Sequence, residues 1–153
     1  MPRPALLFVC LGNICRSPLA EAAFRRAAAA VSLDCRVDSA GTGDWHVGKA
    51  PDPRAIAEAA RHGIDITGYR ARQVTRGDFG AFTHILALDV QNLADLRLIA
   101  PPDLRAELSL LLDYVPGLQG QPVADPYWGG PEDFARTWDD VEQAAHALVA
   151  KLL

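Results

Sequence analysis

The 153-residue chain is 50% hydrophobic and 22% charged, a balance that excludes a mainly disordered protein and suits one compact domain. Fifteen Lys and Arg against 19 Asp and Glu give a formal net charge of −4, which excludes nucleic-acid binding through a generally basic surface. All the basic residues except Lys49 and Lys151 are Arg, so planar, bidentate recognition of anions stays open.

From the N-terminus, Arg3 precedes the apolar run Ala5 to Cys10, as in the opening of a secretory signal. The run breaks at Gly12-Asn13 with no small-residue cleavage site behind a longer apolar core. No stretch reaches the roughly 18–20 apolar residues of a membrane span, so neither export by a signal nor a membrane partner is expected. Ala5-Leu6-Leu7-Phe8-Val9-Cys10 is apolar on both alternating faces, the pattern of a strand covered on both sides in a parallel sheet. Ser17-Pro18 then predicts a helix start, with the Ser hydroxyl at the N-cap and Pro at the first helical position. The helix carries Leu19, Ala23, Ala27 and Ala30 on one face.

The alternating segment 36–41 predicts an edge strand, and Asp52-Pro53 predicts a second helix that turns Ile56 and Ala60 inward and stops at His62-Gly63. The segment 84–88 reads as a third strand. Asp89 caps a helix through Leu93, Leu96 and Ile99 that ends at Pro101-Pro102. Leu108 to Leu112 reads as a fourth short strand. Pro131 opens the last helix, with Glu132 and Asp133 in its positive first turn. Its core face holds Phe134, Trp138, Val141, Ala145, Leu148 and Leu152. Strands alternating with helices over residues 1–153 predict a single α/β domain with a mostly parallel sheet, without linker or repeat.

Ligands of such sheets bind beyond the carboxyl ends of the strands, which directs attention to the loop after the first. It reads Cys10-Leu11-Gly12-Asn13-Ile14-Cys15-Arg16-Ser17-Pro18. Successive backbone N–H groups entering a helix N-terminus form a cradle for an anion. Gly12 and Asn13 tolerate the backbone angles of a tight cradle. Arg16 adds a fork that matches two phosphate oxygens. A cysteine at the rim of such an electropositive loop is the setting in which thiols become nucleophilic thiolates. A thiolate beneath a bound tetrahedral oxyanion implies phosphoryl transfer to sulfur.

These residues resemble the signature of the low-molecular-weight protein tyrosine phosphatases. The resemblance continues through Asp38-Ser39-Ala40-Gly41-Thr42, Ala71-Arg72-Gln73 and Asp125-Pro126-Tyr127, nearly the whole chain. It implies a four-stranded parallel sheet flanked by helices on both faces, in one domain covering residues 1–153. It also implies hydrolysis of phosphotyrosine through a cysteinyl-phosphate, with Cys10 as nucleophile and Arg16 and the loop residues Leu11, Gly12, Asn13, Ile14, Cys15 and Ser17 around the phosphate.

A thiolate that attacks a phosphate ester expels a poor leaving group unless an acid protonates it. Asp125, in a loop flanked by Gly and Pro, reads on its own either as a turn former or as that acid; the resemblance matches it to the family's general acid. Trp45, Tyr127 and Trp128 read either as packing residues or as the walls of an aromatic slot deep enough to favour phosphotyrosine over phosphoserine. By resemblance, Asn13 and Ser39 fix the cradle through hydrogen bonds and Ser17 assists the departing thiolate. The resemblance departs at Tyr69, where many relatives carry a His that supports the loop Asn; whether Tyr69 replaces it stays open. Cys15 has two readings, a small residue filling the loop and, by resemblance, a partner that captures oxidised Cys10 in a disulfide. Cys35 receives no role. His62 and His84 read as structural, and His46 and His146 as exposed.

No metal or other cofactor is expected, since no His pairs with the cysteines at metal-ligand spacing. The odd, crowded set Cys10, Cys15 and Cys35 is no secreted disulfide framework and predicts a cytoplasmic protein. The resemblance implies phosphotyrosine proteins or small aryl phosphates as partners, and a monomer or weak dimer is expected. Two alternatives lie within the same fold. An arsenate reductase would need further cysteines downstream, and none follows Cys35. A protein arginine phosphatase would carry Thr in place of Ile14. A phosphate-binding module without turnover, or a metal-binding thiol pair, fits the set Cys10, Arg16 and Asp125 less well.

Overall fold

The computed structural model describes residues 3–153. Four strands, β1 (Ala5–Cys10), β2 (Arg36–Gly41), β3 (His84–Ala87) and β4 (Glu107–Leu110), form one parallel sheet in the order β2-β1-β3-β4. Five helices accompany them: α1 (Arg16–Ala30), α2 (Pro53–Arg61), α3 (Asp78–Ala81), α4 (Val90–Ile99) and α5 (Pro131–Leu152). Among the described residues, no helix is long and apolar enough to cross a membrane.

Side chains of a strand alternate between faces, and every residue of β1 is buried, so the sheet builds two cores at once. Leu6, Phe8 and Cys10 point into the larger core with α1, α2 and α5, where Phe8 meets Phe24 with ring centroids 5.8 Å apart. Ala5, Leu7 and Val9 point into the smaller core with Phe79, Phe82, Leu93 and Leu96. The chain leaves β1 for β2 on one side and returns to β3 on the other. The carboxyl end of β1 is therefore the switch point at which open α/β sheets bind ligands.

The helix faces correct the sequence pattern in detail. In α2 the buried residues are Ala55, Glu58 and Ala59; Ile56 is half-buried and Ala60 exposed, so the inward face lies one residue earlier. In α4, Leu93 and Leu96 are buried and Ile99, its last residue, is exposed. Ala30, in the last turn of α1, is also exposed. The segment 108–112 is strand only as far as Leu110; a 3₁₀ turn, Leu111–Tyr114, follows and buries Leu111 and Leu112. The α5 face holds: Phe134, Trp138, Val141, Ala145 and Leu148 are all buried.

Candidate active site

The first residues of the loop after β1 set its shape. Asn13 sits in the left-handed region at φ 58°, and the loop backbone rests against Gly41 at the end of β2. A Cβ on Gly41 would stand 2.7 Å from the Leu11 carbonyl oxygen, so only glycine admits this approach. The loop's carbonyls are tied outward to the scaffold. Thr42 N–H donates to the Cys10 carbonyl at 2.9 Å, Gly43 N–H to that of Leu11 at 2.9 Å, and Asp52 N–H to that of Ile14 at 2.9 Å. The Asn13 N–H turns the other way and donates to Cys10 Sγ at 3.3 Å.

A second layer of polar side chains locks this arrangement. The Asn13 side-chain amide donates to Ser17 Oγ at 2.8 Å and to Ser39 Oγ at 3.0 Å, while its Oδ1 accepts from Arg72 N–H at 3.0 Å. Ser39 Oγ donates to Glu21 Oε1 at 2.7 Å, and Arg25 donates to Glu21 Oε2 at 2.8 Å. Ser17 Oγ, an acceptor from Asn13, lies 3.0 Å from Cys10 Sγ, and its own proton has the sulfur or, at 3.5 Å, the Ala40 carbonyl as acceptor. Ser17 is thus not the helix cap that its Ser-Pro setting suggested. α1 begins two residues earlier, Cys15 takes the N-cap position without a side-chain cap, and the Ser17 hydroxyl is turned inward to the sulfur. Tyr69 makes no hydrogen bond to Asn13; the Arg72 N–H fills the place at Oδ1, and Tyr69 lines a small cavity beside Glu21 and Ser39.

Arg16 is only 3% exposed. Its Nη1 donates to Asp89 Oδ2 at 2.8 Å and to the Val123 carbonyl at 3.0 Å, and its Nη2 lies 3.7 Å from Asp125 Oδ2. Burial works against its charge, but Cys10, Asp89 and Asp125 outweigh that penalty and raise its pKa further. Asp125 is about half exposed and accepts the Tyr127 N–H at 3.1 Å, a turn that fixes its carboxylate at the cleft mouth. Cys15 is buried at the same loop. Burial first, and the Asp52 carboxylate second, push its thiol well above the ordinary range, which keeps it protonated. Cys10, Cys15 and Cys35 are all free thiols.

These groups line one cleft of about 290 Å³. Cys10, Leu11, Gly12, Ile14, Cys15 and Arg16 form its base, with Asp125, Trp45, Tyr127 and Trp128 above. Tyr127 and Trp128 meet edge to face with centroids 4.9 Å apart. Asn13, Ser17 and Ser39 stand behind the loop and do not line the cleft.

Four residues of the site escaped the sequence reading. His46 was expected to be exposed; it is half-buried and lines the cleft against Gly12. Asp89 was read as a helix cap, and its Oδ1 does accept the Asn92 N–H at 2.7 Å, but its Oδ2 holds Arg16. Asp52 likewise caps α2 through the Arg54 N–H at 2.8 Å and also joins that helix to the loop. Arg54 clamps the acid loop, donating to the carbonyls of Tyr127 at 2.9 Å and Gly129 at 3.0 Å while paired with Asp52. For Asp89 and Asp52 the only local signal, a capping position, is satisfied by one oxygen and says nothing of the other.

The buried Cys10 sulfur, the loop around it and the buried Arg16 thus stand together at the switch point of a parallel α/β sheet. The family model for the low molecular weight phosphotyrosine protein phosphatases matches residues 5–153. A low molecular weight phosphotyrosine protein phosphatase of Sus scrofa is 41% identical over 97% of this chain and 95% of its own length. The crystal structure of a protein tyrosine phosphatase from Entamoeba histolytica superposes with a TM-score of 0.92 at 35% identity, covering 97% of this chain and 96% of that one. A Drosophila arginine phosphatase structure superposes with a TM-score of 0.90 at 31% identity, covering 95% and 96%. The chain belongs to the low molecular weight phosphotyrosine protein phosphatase family.

Proposed function

We propose that the chain, as one catalytic domain over residues 1–153, is a protein tyrosine phosphatase that works through a cysteinyl-phosphate intermediate. The observation that carries this reading is Cys10 Sγ, held by the Asn13 N–H and the Ser17 hydroxyl, in one cleft with Arg16 and Asp125. The Cys10 sulfur attacks phosphorus while Arg16 and the loop N–H groups take the equatorial oxygens. The P–O bond to the phenol breaks, and Asp125 gives the departing oxygen its proton. Water then attacks the S–P bond with Asp125 as base, and the Ser17 hydroxyl stabilises the returning thiolate. Trp45, Tyr127 and Trp128 hold the phenyl ring above the cradle.

The same reading places the protein in the cytoplasm, where its three thiols stay reduced. It also makes the enzyme redox-sensitive. Peroxide converts the Cys10 thiolate to a sulfenic acid, and the Cys15 thiol condenses with it, forming a disulfide and releasing water. Cys15→Ser is expected to lose recovery by dithiothreitol after peroxide; full recovery of that variant would remove the guard role.

Metal-free turnover of matched phosphotyrosine, phosphoserine and phosphoarginine peptides, with Cys10→Ser as the blank, tests the function. The expected result is selective release of phosphate from phosphotyrosine by the parent protein alone. Preferred turnover of phosphoarginine would move the chain to the activity named for its Drosophila structural neighbour.

A further inference from the structure

Beside the substrate cleft runs a second groove of about 320 Å³ that the chemistry above does not use. Its apolar lining is Leu11, Trp45, Val74, Leu98 and Ile99, and Asp95 is its one charged residue. Leu98, in the last turn of α4, is 84% exposed. Single exposed aliphatic residues are ordinary, but here Leu11, Trp45, Leu98 and Ile99 are exposed together around one concavity. Leu11 and Trp45 line both the groove and the cleft, so the two spaces share a wall. The Trp45 ring occupies the space that a Cβ on Gly43 would fill, so glycine there lets the ring stand between the two spaces.

We propose that this groove receives an aliphatic side chain of the substrate protein, one or two residues from the phosphotyrosine. The inference rests on the phosphatase reading and adds a sequence preference to it. An extended peptide advances about 3.3–3.6 Å per residue, so a neighbour one or two positions away crosses the thickness of a single side-chain wall. The occupant is apolar because four of the exposed lining residues are, and burial of such surface is the main source of affinity that a groove without paired charges offers. The groove is continuous with the cleft that binds the phosphotyrosine, which places this substrate segment, rather than a separate partner, over it.

The test compares kcat/KM for p-nitrophenyl phosphate with that for phosphotyrosine peptides of alanine background carrying one Leu at −2, −1, +1 or +2. In the parent protein, Leu at one of these positions is expected to raise kcat/KM by about tenfold over the all-alanine peptide. Leu98→Asp, at a side chain open to solvent, is expected to erase that gain and leave p-nitrophenyl phosphate hydrolysis unchanged; Leu98→Ser should erase most of it. No gain from Leu at any position overturns the proposal, as does a gain that survives in Leu98→Asp. An equal fall of both substrates in Leu98→Asp also overturns it, since the surface would then act through the catalytic loop. So does sedimentation showing that a second copy covers Leu98 at assay concentration. Absence of p-nitrophenyl phosphate hydrolysis in the parent protein would instead refute the phosphatase reading itself.

Discussion

The two loops that meet over the cleft are built in opposite ways. The cysteine loop is buried and held from three sides, by the end of β2, by the start of α2 and by the Asn13, Ser17 and Ser39 hydrogen bonds. The acid loop carries an exposed Asp125, an exposed Tyr127 and a Trp128 that is 92% exposed. Its anchors are few: Arg16 and the Leu88 carbonyl hold Val123, Arg54 holds Tyr127 and Gly129, and Asp125 has only a longer contact with Arg16 and its own turn. The difference separates tasks. On the proposed mechanism, the attacking sulfur and the anion cradle fall in the part of the site that hydrogen bonds hold in place, as preorganisation requires. On the same mechanism, the proton donor and the aromatic wall fall on the solvent-exposed loop, which Arg16 and Arg54 tie to the body of the protein.

The comparison can be broken first at the acid. Asp125→Asn removes the proton donor and leaves the cradle intact, so kcat for a phenyl phosphate ester should fall by about 10²–10⁴ while phosphate affinity persists. A fall of less than about fivefold would put the acid elsewhere. The next largest effect should come from the clamp. Arg54→Ala frees the carbonyls of Tyr127 and Gly129 and should lower kcat by roughly tenfold to a hundredfold, through misplacement of Asp125, with Arg54→Lys recovering part of it. Leaving groups of low pKa, which need no proton, should be affected least. A loss that is the same for every leaving group would show that the clamp serves the cradle as well.

The smallest effect concerns acid stability where the loops are joined. The hydrogen bond from Arg54 lowers the Asp52 carboxyl below its ordinary value, against a smaller opposing effect of burial. A depressed folded-state pKa contributes stability that is present above the unfolded value, about 3.9, and is lost as pH falls through the lower folded value. Asp52→Asn keeps a capping side chain but not the charge, so unfolding by urea should become less steeply dependent on pH below about 4. An unchanged slope there would show that Asp52 takes no part in the acid response.

The sequence made the buried half of this comparison far more legible than the exposed half. The strand β1, the loop and α1 are contiguous, and their apolar run, glycine and Ser-Pro each have a local physical meaning. The cradle was therefore readable from residues 5–18. Even there, Ser-Pro pointed to a cap, because a hydroxyl before a helix reads the same whether it faces a backbone N–H or a buried sulfur. The hydrogen-bond partners of Arg16 lie 73 and 107 residues away, and the acid-loop carbonyls that Arg54 holds lie 73 and 75 away. No local pattern encodes such pairings; only the strand order that brings the loops together does. His46 was misplaced for the same reason, since its exposure depends on the neighbour it packs against. The inward face of α2 slipped by one residue because Glu58, a charged residue, is buried there between Arg61 and His62.

The central claim is that the buried sulfur, and not the exposed loop, carries the phosphoryl group. Acid-quenching the enzyme during turnover of an aryl phosphate and mapping the phosphoryl group by peptide mass spectrometry tests it most directly. The account predicts one phosphoryl group on the peptide containing Cys10, none in Cys10→Ser, and none on Cys15 or Cys35. Turnover by Cys10→Ser at the parent rate, or a phosphoryl group on any other residue, would contradict it.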